Sequence, residues 1–180
     1  MGLDLVEFVM AVEDAFSVTI DDAEAEQIQT PAGMINCIAR KLNATEGAPG
    51  VCPTMRAFHR MRSAVLAVQD IPRQQVKPGT SVVALFPSRR DDEGWSGFVA
   101  ASGFPRLPQP RGWFGVPQPG VTLAYLSRWV VSRHLRELKP RGEGWTRQEI
   151  RAAVRIIITL ELGVVDFADE DEFVRDMGLD

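Results

Sequence analysis

The hydrophobic positions at the start of the chain recur at helical spacing. In LDLVEFVMAVEDAF (3–16), Leu5, Val9, Val12 and Phe16 fall at i, i+4, i+7 and i+11, which is one face of an α-helix. Leu3, Val6 and Met10 widen that apolar stripe in this reading, and Asp4, Glu7, Glu13 and Asp14 populate the other side. SVTI (17–20) reads as a short extended link. Two carboxylates open DDAEAEQI (21–28), which suits the positive end of a short helix. Thr30 followed by Pro31 is a helix start, since Thr caps and Pro is tolerated at the first helical position. The pattern Met34, Ile35, Ile38 carries that helix to about Leu42.

NATEGAPGVCP (43–53) has linker composition. A helix is predicted from about Thr54 to Gln69, with Phe58, Met61, Val65 and Val68 on one face and Arg56, Arg60 and Arg62 making the remainder basic. Residues 71–87 read as loop with a helical turn at Ser81–Phe86, and a short helix is predicted around Trp95–Ser102. The stretch 103–120 is too rich in Pro and Gly for regular structure. Val121–Leu135 is predicted helical with Leu123, Leu126, Trp129 and Val130 inward, and KPRGEG (139–144) forms a second linker. Thr146 and Glu149 make a capping box, after which Ile150, Val154, Ile157 and Leu160 give one α-helix to Leu162, closed by Gly163. An acidic loop, VDFADEDEF (165–173), follows. No strand alternation of any length is present, so the fold class is all-α.

Composition narrows the picture. Of 180 residues, 45% are apolar and 24% charged, which excludes a chain disordered throughout. No apolar run reaches membrane-helix length. The N-terminal MGLDLVEF carries acids where a signal peptide carries basic residues, and two cysteines are too few for a disulfide framework, so a reducing cytoplasm is the expected compartment. The net charge of -4 is unevenly spread. Residues 1–50 carry two basic and nine acidic residues, 51–145 fourteen and six, and 146–180 four and nine. Acidic ends around a basic middle fit two arrangements: the ends belong to one unit, or they dock on the basic centre.

Candidate chemistry is sparse. No P-loop, GxGxxG, GxSxG or HExxH motif occurs, so the expectation is a protein without catalytic activity. His59 and His134 each lie in a predicted helix beside arginines, without the company a metal ligand needs. Cys37 and His59 would be a nucleophile pair only if brought together, and Cys37 lies in an apolar helical region, as a core thiol does. The run Asp169–Glu172 lacks the Gly and terminal Glu of a calcium loop and reads as solvated. The central arginines, with Trp95, Trp113 and Trp129, are permissive for nucleic acid, but no recognition motif accompanies them.

Residues 3–42 resemble the second half of an acyl carrier protein. That family's attachment serine opens a helix reading roughly DSLDxVELVMALEEEF, and LDLVEFVMAVEDAF follows that text. DDAEAEQIQT is similar to the family's short third helix, and Pro31–Leu42 to its fourth. The family's first half is similar to the other end of the chain: EIRAAVRIIITLELGV (149–164) to the first helix, and FVRDMGLD (173–180) to the approach to the serine. The resemblance implies a circularly permuted carrier-like four-helix bundle from residues 1–42 plus 146–180, closed within one chain in preference to a domain-swapped dimer. Residues 53–140 more weakly resemble a second, degenerate copy, through MRSAVLAVQDIPRQQVKPGTSVVALFP, GWSGFVAASGFP and VTLAYLSRWV, interrupted by the Pro-rich loop 103–120.

In the family a serine carries phosphopantetheine. Counting back from Glu7, that position is Gly2, which has no hydroxyl, so the resemblance implies no bound cofactor. The implied function is a non-catalytic module that docks on enzymes or carriers of acyl or peptidyl metabolism, of the fatty acid or polyketide kind. Its partner-binding residues would be Asp4, Glu7, Glu13 and Asp14. The alternatives are a true carrier with its arm on Ser88, in FPSRRDD, and a basic central domain that binds nucleic acid.

Overall fold

The computed structural model describes residues 2–47, 52–87, 92–110, 116, 118, 120–140 and 142–179. Among them every regular element is helical: α1 (Leu3–Phe16), α2 (Asp22–Ala25), α3 (Pro31–Lys41), α4 (Pro53–Val68), α5 (Val82–Leu85), α6 (Asp92–Ser102), α7 (Leu123–Arg133), α8 (Leu135–Leu138) and α9 (Arg147–Ile157). A 3-10 turn lies at Arg73–Gln75 and a π-helical turn at Ile158–Leu162. Among the described residues extended pairing is confined to two isolated bridges, Thr45 with Thr146 and Ser81 with Thr122. No helix of the described residues is long and apolar enough to cross a membrane. The chain divides into two compact units, Met1–Pro53 with Val131–Asp180, and Thr54–Val130.

In the first unit the helix starts follow local chemistry. The Asp21 carboxylate accepts from the Glu24 N–H, and the Thr30 hydroxyl accepts from the Gly33 N–H at 3.0 Å, with Pro31 as first residue of α3. At α9 the Thr146 and Glu149 side chains satisfy each other's backbone N–H groups. The core joins both ends of the sequence: α9 packs against α3 and α1, and the π-helical turn against α1. Phe8, Phe16, Met34, Ile38, Val154 and Ile157 are fully or almost fully buried there. The Thr45–Thr146 bridge adds two hydrogen bonds, Thr45 N–H to the Trp145 carbonyl at 2.9 Å and Arg147 N–H to the Thr45 carbonyl at 3.0 Å. Trp145 packs edge-on against Phe16, and Lys139 Nζ lies 4.9 Å over its ring while pairing with Glu149 at 2.5 Å.

The segment after α9 is stitched down by polar contacts. The Asp169 carboxylate accepts from Arg151 and, at 2.5 Å, from Arg155, and its carbonyl accepts from the Ala32 N–H at 2.7 Å. The Phe173 N–H donates to the Gln29 carbonyl at 2.9 Å, and its ring meets Phe8 at 5.4 Å between centroids.

The second unit holds α4 from Thr54, α5, α6 and α7 as far as Val130. Phe86, Trp95 and Phe98 form an aromatic cluster with centroids 5.3 to 5.8 Å apart. Arg60 lies over the buried Phe104 ring and donates through Nε to the Ser102 carbonyl at 2.7 Å, neutralising the C-terminal end of α6. Gly103 has a positive φ of 73°, and a Cβ there would collide with the Arg60 guanidinium.

Several sequence expectations need correction. Leu3, Val6 and Met10 do not widen the buried stripe of α1 but are exposed, because the helix already buries an arc through Leu5, Phe8, Val9, Val12 and Phe16. The helix expected through Leu162 is α-helical only to Ile157 and then widens to a π-turn, ended by Gly163 at φ 72°. The helix expected over Val121–Leu135 starts at Leu123, with Thr122 held in the bridge to Ser81, and breaks at His134, whose non-helical φ of -134° and ψ of 30° separate α7 from α8. Trp129 is half-buried rather than inward. The Asp169–Glu172 run is not simply solvated: Asp169 is buried because two arginines of α9 compensate its charge. Ser88 and Trp113 lie outside the described residues.

Two carboxyls set an acid limit on this unit. Burial pushes the Asp169 carboxyl up, but hydrogen bonds from Arg151 and Arg155 outweigh it and hold it below its ordinary 3.8. Burial likewise raises Glu149, and Lys139 with Thr146 brings it below 4.5. A carboxyl depressed on folding contributes stability that is complete above its unfolded value and is lost as pH falls through the folded one. Urea midpoints should therefore hold from pH 7 to about 5 and fall below about pH 4. Asp169→Asn should cost about 1–2 kcal/mol at pH 7, part of the pair being screened at the exposed Arg151, and should flatten that acid limb.

Candidate functional site

The outward face of α1 carries three exposed apolar side chains. Leu3 is 72% exposed, Met10 57% and Val6 36%, although all three belong to a helix with a full apolar face of its own. Leu3, Glu7, Met10 and Asp14 stand at i, i+4, i+7 and i+11, so apolar and acidic side chains alternate along one line. Asp4, Glu7 and Asp14 are exposed. Asp4 lies in the first turn, where the helix dipole favours a negative charge.

Of the four acids expected to bind a partner, the structure separates one. Glu13 is half-buried, and its carboxylate accepts from the Ile20 N–H at 2.6 Å, which ties the link after α1 back onto the helix. Asp4, Glu7 and Asp14 remain on the outer surface. Gly2 precedes α1 as its N-cap, with extended φ and ψ of -76° and 175° and no side-chain capping bond.

The charge around this face is one-sided. The first unit carries ten basic and twenty acidic residues, a net -10, whereas Thr54–Val130 carries ten and four, a net +6. Many acids of the first unit are used internally. Glu24 of α2 pairs with Lys41 at 2.6 Å and with Arg40, and these bonds hold its carboxyl below the usual range. Cys37, buried beside it, is pushed up to about 11 by burial and by a hydrogen bond to Glu24. A thiol so protonated is a poor nucleophile at neutral pH. Cys37 and His59 fall in different units.

A cavity of about 290 Å³ opens beside the first turns of α1, between Leu5, α2 with the residues after it, and Glu172–Val174. Sequence reasoning missed it. Phe173 was legible only as part of a text resemblance, and no periodicity places an irregular segment against α1. Among the described residues no cluster of His, Cys, Asp and Glu has metal-site geometry.

Part of the chain is similar to acyl carrier proteins. The acyl carrier protein of Petrotoga mobilis is 46% identical over 42 residues, which are 23% of this chain and 49% of that protein. That of Phaeodactylum tricornutum is 50% identical over 39 residues, 22% of this chain and 51% of that protein. The chain spans about half the length of the curated relatives it matches. No protein-family model matches it. No solved structure matches it either.

The acids of α1 should separate experimentally into two roles. Glu13→Ala should destabilise the fold by about 1 kcal/mol, since it removes an acceptor from a half-buried N–H. Glu7→Ala and Asp14→Ala should stay within about 0.5 kcal/mol of the parent in urea unfolding, as exposed positions do.

Proposed function

We propose that the first unit is a carrier-protein-like docking module without a prosthetic arm of its own, which meets basic surfaces on enzymes that handle acyl or peptidyl carriers. The observation that carries this reading is the exposed line of Leu3, Val6, Met10, Glu7 and Asp14 on α1. It lies on the helix whose text resembles the one following the family's serine. Apolar side chains set among exposed acids supply both a contact area and long-range steering toward a positive partner.

The permuted order of the carrier halves is part of the proposal. Two things support it: the texts of 149–164 and 173–180, and the packing of α9 and Phe173 against α1 and α3. Gly2 then takes the place of the serine. Its backbone is extended, a conformation any residue adopts, so the hydroxyl is missing for chemical and not conformational reasons.

Intact mass after incubation with coenzyme A and a broad-specificity phosphopantetheinyl transferase tests this directly. The parent chain should gain no arm, while Gly2→Ser should gain one at position 2. An arm on the parent, mapped to Ser88 or elsewhere, would overturn the armless reading. The parent should also slow modification of an authentic acyl carrier protein by the same transferase, with inhibition weakening as salt rises. Glu7→Lys combined with Met10→Ser should raise the inhibitory concentration about tenfold, which corresponds to about 1.4 kcal/mol. Unchanged inhibition by that variant would remove α1 as the docking face.

A further inference from the structure

The cavity beside α1 carries a chemistry that the exposed stripe does not. Five of its lining residues are apolar, namely Leu5 (7% exposed), Phe173 (1% exposed), Ala25, Ile28 and Val174, and Gln29 adds an amide. The wall is prebuilt, because the Phe173 backbone bonds to Gln29 and its ring is seated on Phe8. Carboxylates mark the remaining lining, Glu26 exposed and Glu172 half-buried. Arg175 pairs with Glu172 at 3.1 Å, and the same guanidinium also bonds Asp176. Glu26, Glu172 and Asp176 outnumber Arg175, which bonds two of them, and that set of four is net negative.

We infer that this cavity receives an aliphatic group with a positive charge beside it, namely an apolar side chain flanked by Lys or Arg on the docked partner. The inference rests on the docking reading and names what the partner inserts. A volume near 290 Å³ is at the low end of the roughly 300–1,000 Å³ of small-molecule sites, and so suits one side chain or a short alkyl group. The negative rim favours an ammonium or guanidinium over a carboxylate, because like charges at the mouth of the recess repel, most strongly at low salt. A fatty acid anion is therefore the disfavoured occupant.

Three probes of equal chain length decide the matter: octylammonium, octanol and octanoate, titrated into the full chain at neutral pH and low salt and followed by amide chemical shifts. Octylammonium should bind about tenfold more tightly than octanoate, with the shifts centred on Leu5, Ile28 and Phe173. In Glu26→Gln/Glu172→Gln the two affinities should converge to within about twofold, because only the rim charge has changed. Ile28→Trp should fill the recess and abolish binding of all three while the helical circular dichroism is kept. If Ile28→Trp does not fold, the double Gln variant alone decides. Octanoate or octanol binding as tightly as octylammonium, or no binding of octylammonium to the parent, overturns the inference. These probes do not involve the α1 stripe, so a failure here leaves the transferase competition intact, and a failed competition leaves the cavity result standing.

Discussion

The first unit depends on one shared apolar surface, that of α9. The helices α1 and α3 lie within the first 41 residues, yet the largest partner of α3 is α9, which begins at Arg147. Ile150, Val154 and Ile157 fill the space that α1 and α3 cannot close by themselves, and all three are inaccessible to solvent. Helices as short as these are marginal in isolation and take their stability from packing. The Thr45–Thr146 bridge fixes the register of this closure at one end, and Asp169 with Arg151 and Arg155 fixes the segment beyond α9.

That dependence explains how charge is distributed in the unit. Where an acid lies near the closing surface it is compensated: Glu149 by Lys139, Asp169 by two arginines, Glu24 by Lys41 and Arg40. Burying any of them without a partner would cost several kcal/mol. Asp4, Glu7 and Asp14 are exposed and need no partner for folding. Their charge is thus free to act outward, beside apolar side chains that folding does not use either. Residues dispensable for the core and still costly in water are the ones a binding surface is built from.

The sequence made the helices legible wherever local chemistry decides them. Thr30-Pro31, the Thr146/Glu149 capping box and the Gly163 terminator each act within one turn of chain, and each stands where the pattern placed it. It misled where burial depends on what lies opposite. Leu3, Val6 and Met10 are apolar at helical spacing, and periodicity cannot tell that the arc from Leu5 to Phe16 already exhausts the available partner surface. Asp169 was unreadable for the same reason, since its arginines are fourteen and eighteen residues away on another element. The π-turn at Ile158–Leu162 leaves no signature in composition. The cavity is formed by an irregular segment, whose path is set by bonds such as Phe173 N–H to Gln29 and not by any repeat.

Docking and group transfer make different demands on a protein surface. Attachment of a prosthetic arm requires one hydroxyl at one position, and a glycine there removes it without disturbing the backbone. Recognition by charge requires several side chains held on a helix, and the field they produce depends on their number and spacing more than on any single atom. On the docking reading proposed above, the first is lost and the second kept, and the form of α1 supports that reading. Its inner face is committed to the core shared with α9, its outer face keeps acids and apolar groups in alternation, and its N-cap is an extended glycine with no side chain to react. The stability of the helix comes from the inner face, so the outer face and the cap are free to change without unfolding it.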